Sequence, residues 1–225
     1  MTKKISKLIV GGKELSARVR YIPEINKTME TTFNYIKHSD ISMSRRLEIK
    51  TFYKVLLQVL EKLEINSILD VGSGEGYTLD RLKKAGIGTE LVGIDNLPAA
   101  VRLGKELFPE LKLKIGDIYN LPFKDNSNDL VICTEVLEHL EHPDLALKEL
   151  VRVSKKYVAL SVPNEPFFSF RNLMKGKHIK RLGNTPGHIN QWTSNGFIKI
   201  VKQEKVDIVK SRYPFPFALL LLQKL

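Results

Sequence analysis

With 225 residues, 43% hydrophobic and 27% charged, the chain is long enough to bury one full core and too apolar for extensive disorder. Its formal charge of +11 is the one unusual bulk property; it admits nucleic acid, anionic lipid or an acidic metabolite as partner and says nothing of fold. A single cysteine, Cys133, excludes an internal disulfide, and its place inside an apolar run reads as a small buried side chain.

The basic residues are scattered, from Lys3, Lys4 and Lys7 through Arg45, Arg46, Lys83 and Lys84 to Lys155, Lys156 and the stretch 175–181. No helix-turn-helix, zinc finger or aromatic RNA-binding motif accompanies them, so solvated lysines are expected and a nucleic-acid partner is not favoured. The first apolar run is too short for a signal sequence, and no segment has the length of a spanning helix. A cytoplasmic protein is the expectation.

Residues 1–40 carry the least pattern: 16–21 fits a strand or a helix start, and Pro23 interrupts either. Residues 1–41 are set apart as an N-terminal extension placed to act as a lid, ahead of one domain spanning 42–225. From Ser42 the apolar positions Leu47, Phe52, Val55, Leu56, Val59, Leu60 and Leu63 recur at helical spacing, predicting a helix to about residue 64. A strand at 67–71 then runs into Gly72, Gly74 and Gly76, and a helical pattern opens near Thr78 and stops at Gly86. Glycine there takes positive φ and admits a ligand to the main chain. The helix N-terminus behind it offers free N–H groups to an anion, so a nucleotide-like ligand is expected. The nicotinamide-dinucleotide spacing, Gly-x-Gly-x-x-Gly, is not met, which disfavours an oxidoreductase.

Further strands are predicted at 90–94, 112–115, 129–134 and 157–162, with helices at 98–107 and 145–153 between them. Such alternation implies a mostly parallel, doubly wound α/β sheet whose ligands bind outside the carboxyl ends of the strands. Asp70, Asp95, Asp117 and Glu135 all fall at those ends. Asp95, which ends a strand just ahead of Asn96, has the position of an acid that accepts ribose hydroxyls. Beyond the fifth strand, 167–192 reads as a long irregular insertion, with Phe167, Phe168, Phe170, Lys175, Lys177, Lys180 and Arg181 shaping an acceptor pocket. A helix at 194–204 and strands at 206–212 and 218–222 complete the chain.

The run Leu69-Asp70-Val71-Gly72-Ser73-Gly74-Glu75-Gly76 resembles the first motif of class I S-adenosylmethionine-dependent methyltransferases, of the methyltransferase type 11-like kind. The resemblance extends over about 42–225 and implies a seven-stranded Rossmann-like sheet with an antiparallel last strand. It further implies S-adenosylmethionine as cofactor. Asp70, Gly72, Ser73, Gly74 and Gly76 would bind its methionine end, Asp95 with Asn96 its ribose, Asp117 and Ile118 its adenine, and Glu135 would lie near it. Glu135, Glu138 and His139 are spaced i, i+3 and i+4, on one face if the turn is helical. With His188 they resemble the two-glutamate, two-histidine divalent metal site of one methyltransferase subgroup, while the same motif also occurs without metal. A neutral imidazole suits general base catalysis, so His139 and His188 are the candidate bases. The resemblance implies methyl transfer to oxygen or nitrogen of a small-molecule acceptor. An RNA methyltransferase using a divalent metal and a non-catalytic cofactor-binding partner protein are the alternatives.

Overall fold

The computed structural model describes residues 8–10, 13–15, 33–39 and 42–225. Short strands β1 (Leu8–Val10) and β2 (Lys13–Leu15) pair antiparallel, and helix α1 (Phe33–Ser39) follows them. The expectation for residues 16–21 lies outside the described residues. Then come α2 (Met43–Leu60), β3 (Ser67–Val71), α3 (Tyr77–Lys84), β4 (Glu90–Asp95), α4 (Pro98–Leu107), β5 (Lys112–Ile115) and β6 (Asn128–Thr134). The chain continues through α5 (Pro143–Val153), β7 (Ser154–Pro163), α6 (Phe167–Met174), α7 (Ser194–Val201), β8 (Val206–Arg212) and β9 (Phe217–Lys224).

Strands β3 to β9 form a seven-stranded sheet in the order β5-β4-β3-β6-β7-β9-β8. Neighbours from β5 through β7 run parallel, and β9 is antiparallel to both β7 and β8, so the last strand enters between two earlier ones. The doubly wound Rossmann-like sheet expected from the sequence is what the chain forms. Successive side chains on a strand point to opposite faces, and two cores result. On β6, Leu130 and Ile132 join one core while Val131 and Cys133 join the other; on β9, Leu219 and Leu221 part from Leu220 and Leu222 in the same way. Helices α2, α3 and α4 cover the first core through Leu56, Leu60, Leu79, Leu82 and Val101. The second is covered by α5 and α7 through Leu147, Leu150, Phe197 and Val201. Among the described residues no helix is long and apolar enough to cross a membrane.

Two predicted elements need correction. Helix α2 stops at Leu60 rather than near 64, because Leu63 N–H turns back to Leu60 O at 3.0 Å and the chain then sends Ile65 into the core. The stretch 167–192 is not irregular throughout, since it opens with α6. That helix buries Phe168, Arg171 and Asn172, one aromatic and two polar side chains at i, i+3 and i+4. A stripe so poor in aliphatic residues escapes a hydrophobic periodicity reading.

Candidate functional site

The parallel sheet reverses its winding direction between β3 and β6, and the site is built on that boundary. Past β3 the chain turns through Gly72, Gly74 and Gly76, with φ of 75°, 54° and 91°. A Cβ on Gly72 would stand 2.3 Å from Val136 Cγ2, beyond the end of β6, and one on Gly74 would stand 2.6 Å from Asn34 Nδ2. Only glycine meets both the conformation and the space. The loop hangs on β4: Gly72 and Ser73 N–H both donate to Ile94 O, at 2.8 and 3.0 Å. Gly74 N–H donates to Asp95 Oδ2 at 2.7 Å, and Leu97 N–H to Asp95 Oδ1 at 2.8 Å. Each Asp95 oxygen therefore spends one lone pair on the backbone and keeps another for a ligand hydroxyl.

Beneath the loop lie two polar groups with no hydrogen-bond partner among the described residues. Asp70 is 1% exposed with Oδ2 unpartnered, and Ser73 is 6% exposed with Oγ unpartnered. Burial, with Asp95 adding like charge, pushes the Asp70 carboxyl up to about 7. Unmade hydrogen bonds of this kind are costly, and a polar ligand that supplied them would recover the cost. Asp117, after β5, is exposed and its Oδ1 accepts from Tyr119 N–H at 2.9 Å, an Asx turn that leaves its second oxygen unused in that turn. Ile118 packs partly buried against the core, and Asn96 is exposed between β4 and α4.

At the end of β6, Glu135 takes φ 60°, and a 3-10 turn, Leu137–His139, follows. Glu135 is thus outside the helical turn, and the expected common face for Glu135, Glu138 and His139 is not formed. Instead Glu135 Oε1 accepts from Ser161 Oγ on β7 at 3.0 Å. Residues 187–190 close over the 3-10 turn: Ile189 and Asn190 N–H both donate to Glu138 O at 3.0 Å, and Asn190 Nδ2 donates to Leu140 O at 2.6 Å. His139 Nδ1 lies 2.9 Å from Gly187 O. A carbonyl can only accept, so in neutral His139 the proton sits on Nδ1 and Nε2 carries the lone pair. The His139 and His188 rings meet edge to face at 4.8 Å, and ligand atoms of Glu138, His139 and His188 all lie within 4.8 Å of one another.

Charge is concentrated here. Burial, with Lys37 of α1 pulling the other way, brings the Glu135 carboxyl up to about 7. Glu138, 1% exposed with Oε2 unpartnered, is pushed well up by burial and then by Glu135. Burial lowers Lys37, opposed by Glu135, and burial with His139 beside it lowers His188 to about 4.

Residues 69–161 match the model of a family described as a methyltransferase domain. A demethylmenaquinone methyltransferase of Renibacterium salmoninarum is 30% identical over 131 residues, which are 57% of this chain and 53% of that protein. The chain thus spans about half, or less, of the length of the curated relatives it matches. Among solved structures, a SAM dependent methyltransferase of Aquifex aeolicus superposes with a TM-score of 0.63 at 18% identity, over 82% of this chain and 94% of that one. The magnesium protoporphyrin IX methyltransferase of Synechocystis PCC 6803, solved with bound SAH, gives 0.62 at 18% identity over 83% and 89%. Residues 69–161 thus carry a stretch similar to a methyltransferase domain, on a fold shared with solved methyltransferases.

The chain brings Asp70, Gly72, Ser73, Gly74, Gly76 and Asp95 together at the β3–β4 edge. Asp117 and Ile118 stand after β5, the far strand of that side, and Glu135 stands after β6. Three of the four residues read as metal ligands converge, and Glu135 stands outside that group. Residues of α1 were missed altogether. The Asn34 amide donates to the Glu75 carboxylate over the glycine loop, and the His38 ring stacks on Tyr77, first residue of α3, at 4.0 Å. A seven-residue helix has no periodic stripe to announce it. The cluster of Asn34, Lys37 and His38 in one short segment was the available signal.

Proposed function

We propose that this chain is an S-adenosylmethionine-dependent methyltransferase acting on an oxygen or nitrogen of a small-molecule acceptor. The observation that carries it is the pair Asp70 Oδ2 and Ser73 Oγ, buried without a partner among the described residues under a positive-φ glycine cradle. The Asp95 carboxylate stands at the next strand end, already anchored by two backbone N–H groups. Together they fit a ligand bearing an ammonium-carboxylate end and a ribose diol. When bound, that cofactor supplies an activated methyl on a sulfonium. The chain's part is to hold cofactor and acceptor in line and keep water away, and such positioning can supply on the order of 7–11 kcal/mol.

Of the two candidate bases, His139 is the better placed. Its Nδ1 is held by the Gly187 carbonyl, which orients the ring and leaves the Nε2 lone pair to take an acceptor proton. His188, lowered to about 4, is neutral at pH 7 but a weak base, and serves as a wall against His139. The partly buried Lys37 acts on Glu135 and Glu138, and its charge opposes the rise that burial gives both carboxyls.

Calorimetric titration with S-adenosylhomocysteine, with NAD as the competing ligand, tests the reading. Native protein binds S-adenosylhomocysteine and not NAD. Asp95→Asn keeps one carbonyl acceptor and loses the charge, weakening binding by roughly 1.5–3 kcal/mol. Failure to bind S-adenosylhomocysteine overturns it.

The Glu138, His139 and His188 cluster favours a second reading, in which a divalent cation holds the acceptor hydroxyl. Its donors fit in type: a buried carboxylate oxygen without a partner and an imidazole with Nε2 open. Residues Glu138, His139 and His188 would hold the ion, which would lower the hydroxyl's pKa. Manganese titration of the native chain against His188→Ala decides it: heat of binding absent from both leaves the metal-free reading alone.

A further inference from the structure

Helix α6 has two unlike faces. On one, Phe168, Arg171 and Asn172 are buried, and Arg171 grips Glu48 of α2 through Nε at 3.1 Å and through a second, shorter contact. Lys175 shares the Glu48 carboxylate. On the other, Phe167, Phe170 and Met174 stand at i, i+3 and i+7, with 52%, 59% and 74% of their surface exposed. A 3-10 turn (Ile179–Arg181) follows, and Ile179 and Leu182 there are 65% and 79% exposed. Glu48 ties the start of α2 to α6, and that stretch of α2 exposes Met43 at 85% and Leu47 at 63%. Large apolar side chains exposed in this number on neighbouring segments mark a candidate interaction surface.

The charge of the same region is one-signed. Between Glu165 and Glu204 the sequence holds Arg171, Lys175, Lys177, Lys180, Arg181, Lys199 and Lys202 and no Asp or Glu. Glu48, reaching in from α2, is matched to Arg171 and Lys175. Lys180 and Arg181 are exposed beside Ile179 and Leu182.

We propose that α6, the Ile179–Arg181 turn and the first turns of α2 dock on the anionic surface of a lipid bilayer. Aliphatic and aromatic side chains would enter the acyl boundary while lysine and arginine stems reach up to headgroup phosphates. A nucleic-acid strand fits the charge but not the apolar half: Met43, Leu47, Met174, Ile179 and Leu182 have no planar face on which a base stacks. The face adjoins the acceptor side, since Phe168 on the buried flank of α6 lies 5.4 Å from His188. The proposal holds whatever the acceptor is.

Co-sedimentation of the full chain tests it, with vesicles of phosphatidylcholine alone and with phosphatidylglycerol added. The chain pellets with the anionic vesicles, more so at low salt, and little with the neutral ones. Phe170→Ser with Leu182→Ser weakens that binding about tenfold, and Lys180→Glu with Arg181→Glu weakens it about tenfold or more. All four side chains are at the surface, so both variants keep the parent's circular dichroism and melting temperature. Equal binding to neutral and anionic vesicles overturns the proposal, as does undiminished binding by the serine variant. Single-stranded RNA that displaces the vesicles and binds the serine variant as well as the parent overturns it in favour of a nucleic-acid surface.

Discussion

Asp70 is 1% exposed, and its carboxyl is lifted to about 7 from an ordinary 3.8. Between those two values the folded chain binds more protons at Asp70 than the unfolded chain does. Stability is then highest below the unfolded value and is lost as pH rises toward the folded one. Asp70→Asn removes this dependence. In thermal melts of ligand-free protein, the parent should lose stability relative to the variant, by a few kcal/mol, as pH rises from about 4 to about 7. Parallel curves for the two proteins across that range would show that Asp70 is not strained by burial. Gly72 is the second decisive residue, because its φ of 75° and the 2.3 Å approach to Val136 act together. Gly72→Ala should cost roughly 2–5 kcal/mol in a urea titration, from left-handed strain plus overpacking, and should lose S-adenosylhomocysteine binding. A variant of unchanged stability would mean that the loop relaxes freely.

At the scale of elements, α6 depends on one ion pair more than on apolar packing. Arg171 has 5% of its side chain exposed and its Glu48 partner 12%, so breaking the pair leaves a buried guanidinium with the Asn172 side-chain oxygen, at 2.7 Å, and the face of the Phe168 ring, 5.3 Å away. Glu48→Gln should cost roughly 3–5 kcal/mol. Most of that loss belongs to α6 and the segment after it, tied by Asn172 Nδ2 to Gly183 O at 2.8 Å. Hydrogen exchange reads this directly: amides of α6 exchange faster in the variant while those of β3 and β6 keep their protection. Loss of protection spread evenly over the sheet would instead make Glu48 a global stabiliser.

For the molecule as a whole, β9 is the strand on which closure depends. It lies between β7 and β8, and Leu219, Leu220, Leu221 and Leu222, all at most 1% exposed, feed both cores. Ending the chain at residue 216 would unpair β8, open the edge of β7 and uncover both faces at once. The truncated chain should show no cooperative thermal transition by calorimetry. A sharp melt near that of the parent would show that the cores close without their last strand. An unpaired edge of this kind also invites aggregation, so soluble yield falls with it.

Most of the fold was legible because its signals are local. Buried parallel strands are continuous apolar runs, and β5, β8 and α4 have the boundaries that their residue patterns predict. The glycine loop and the acids ending β3 and β4 are likewise set by neighbours a few residues away. The sequence by itself therefore determined the sheet, its winding and the edge at which the glycine loop and the strand-end acids gather. Tertiary structure alone decided which of the acids and histidines share a space. Gly187 and His139 lie 48 residues apart, and their 2.9 Å contact is what gives the imidazole its tautomer. Glu135 leaves the group because a left-handed φ of 60° turns it to Ser161, and no helical spacing can anticipate that. The same holds for Arg171, buried only because Glu48 meets it from 123 residues away, and for Lys37, whose charge counts only where the chain folds α1 back over the site. Contacts of that range depend on how the layers pack, whereas periodicity reports only how each layer is made.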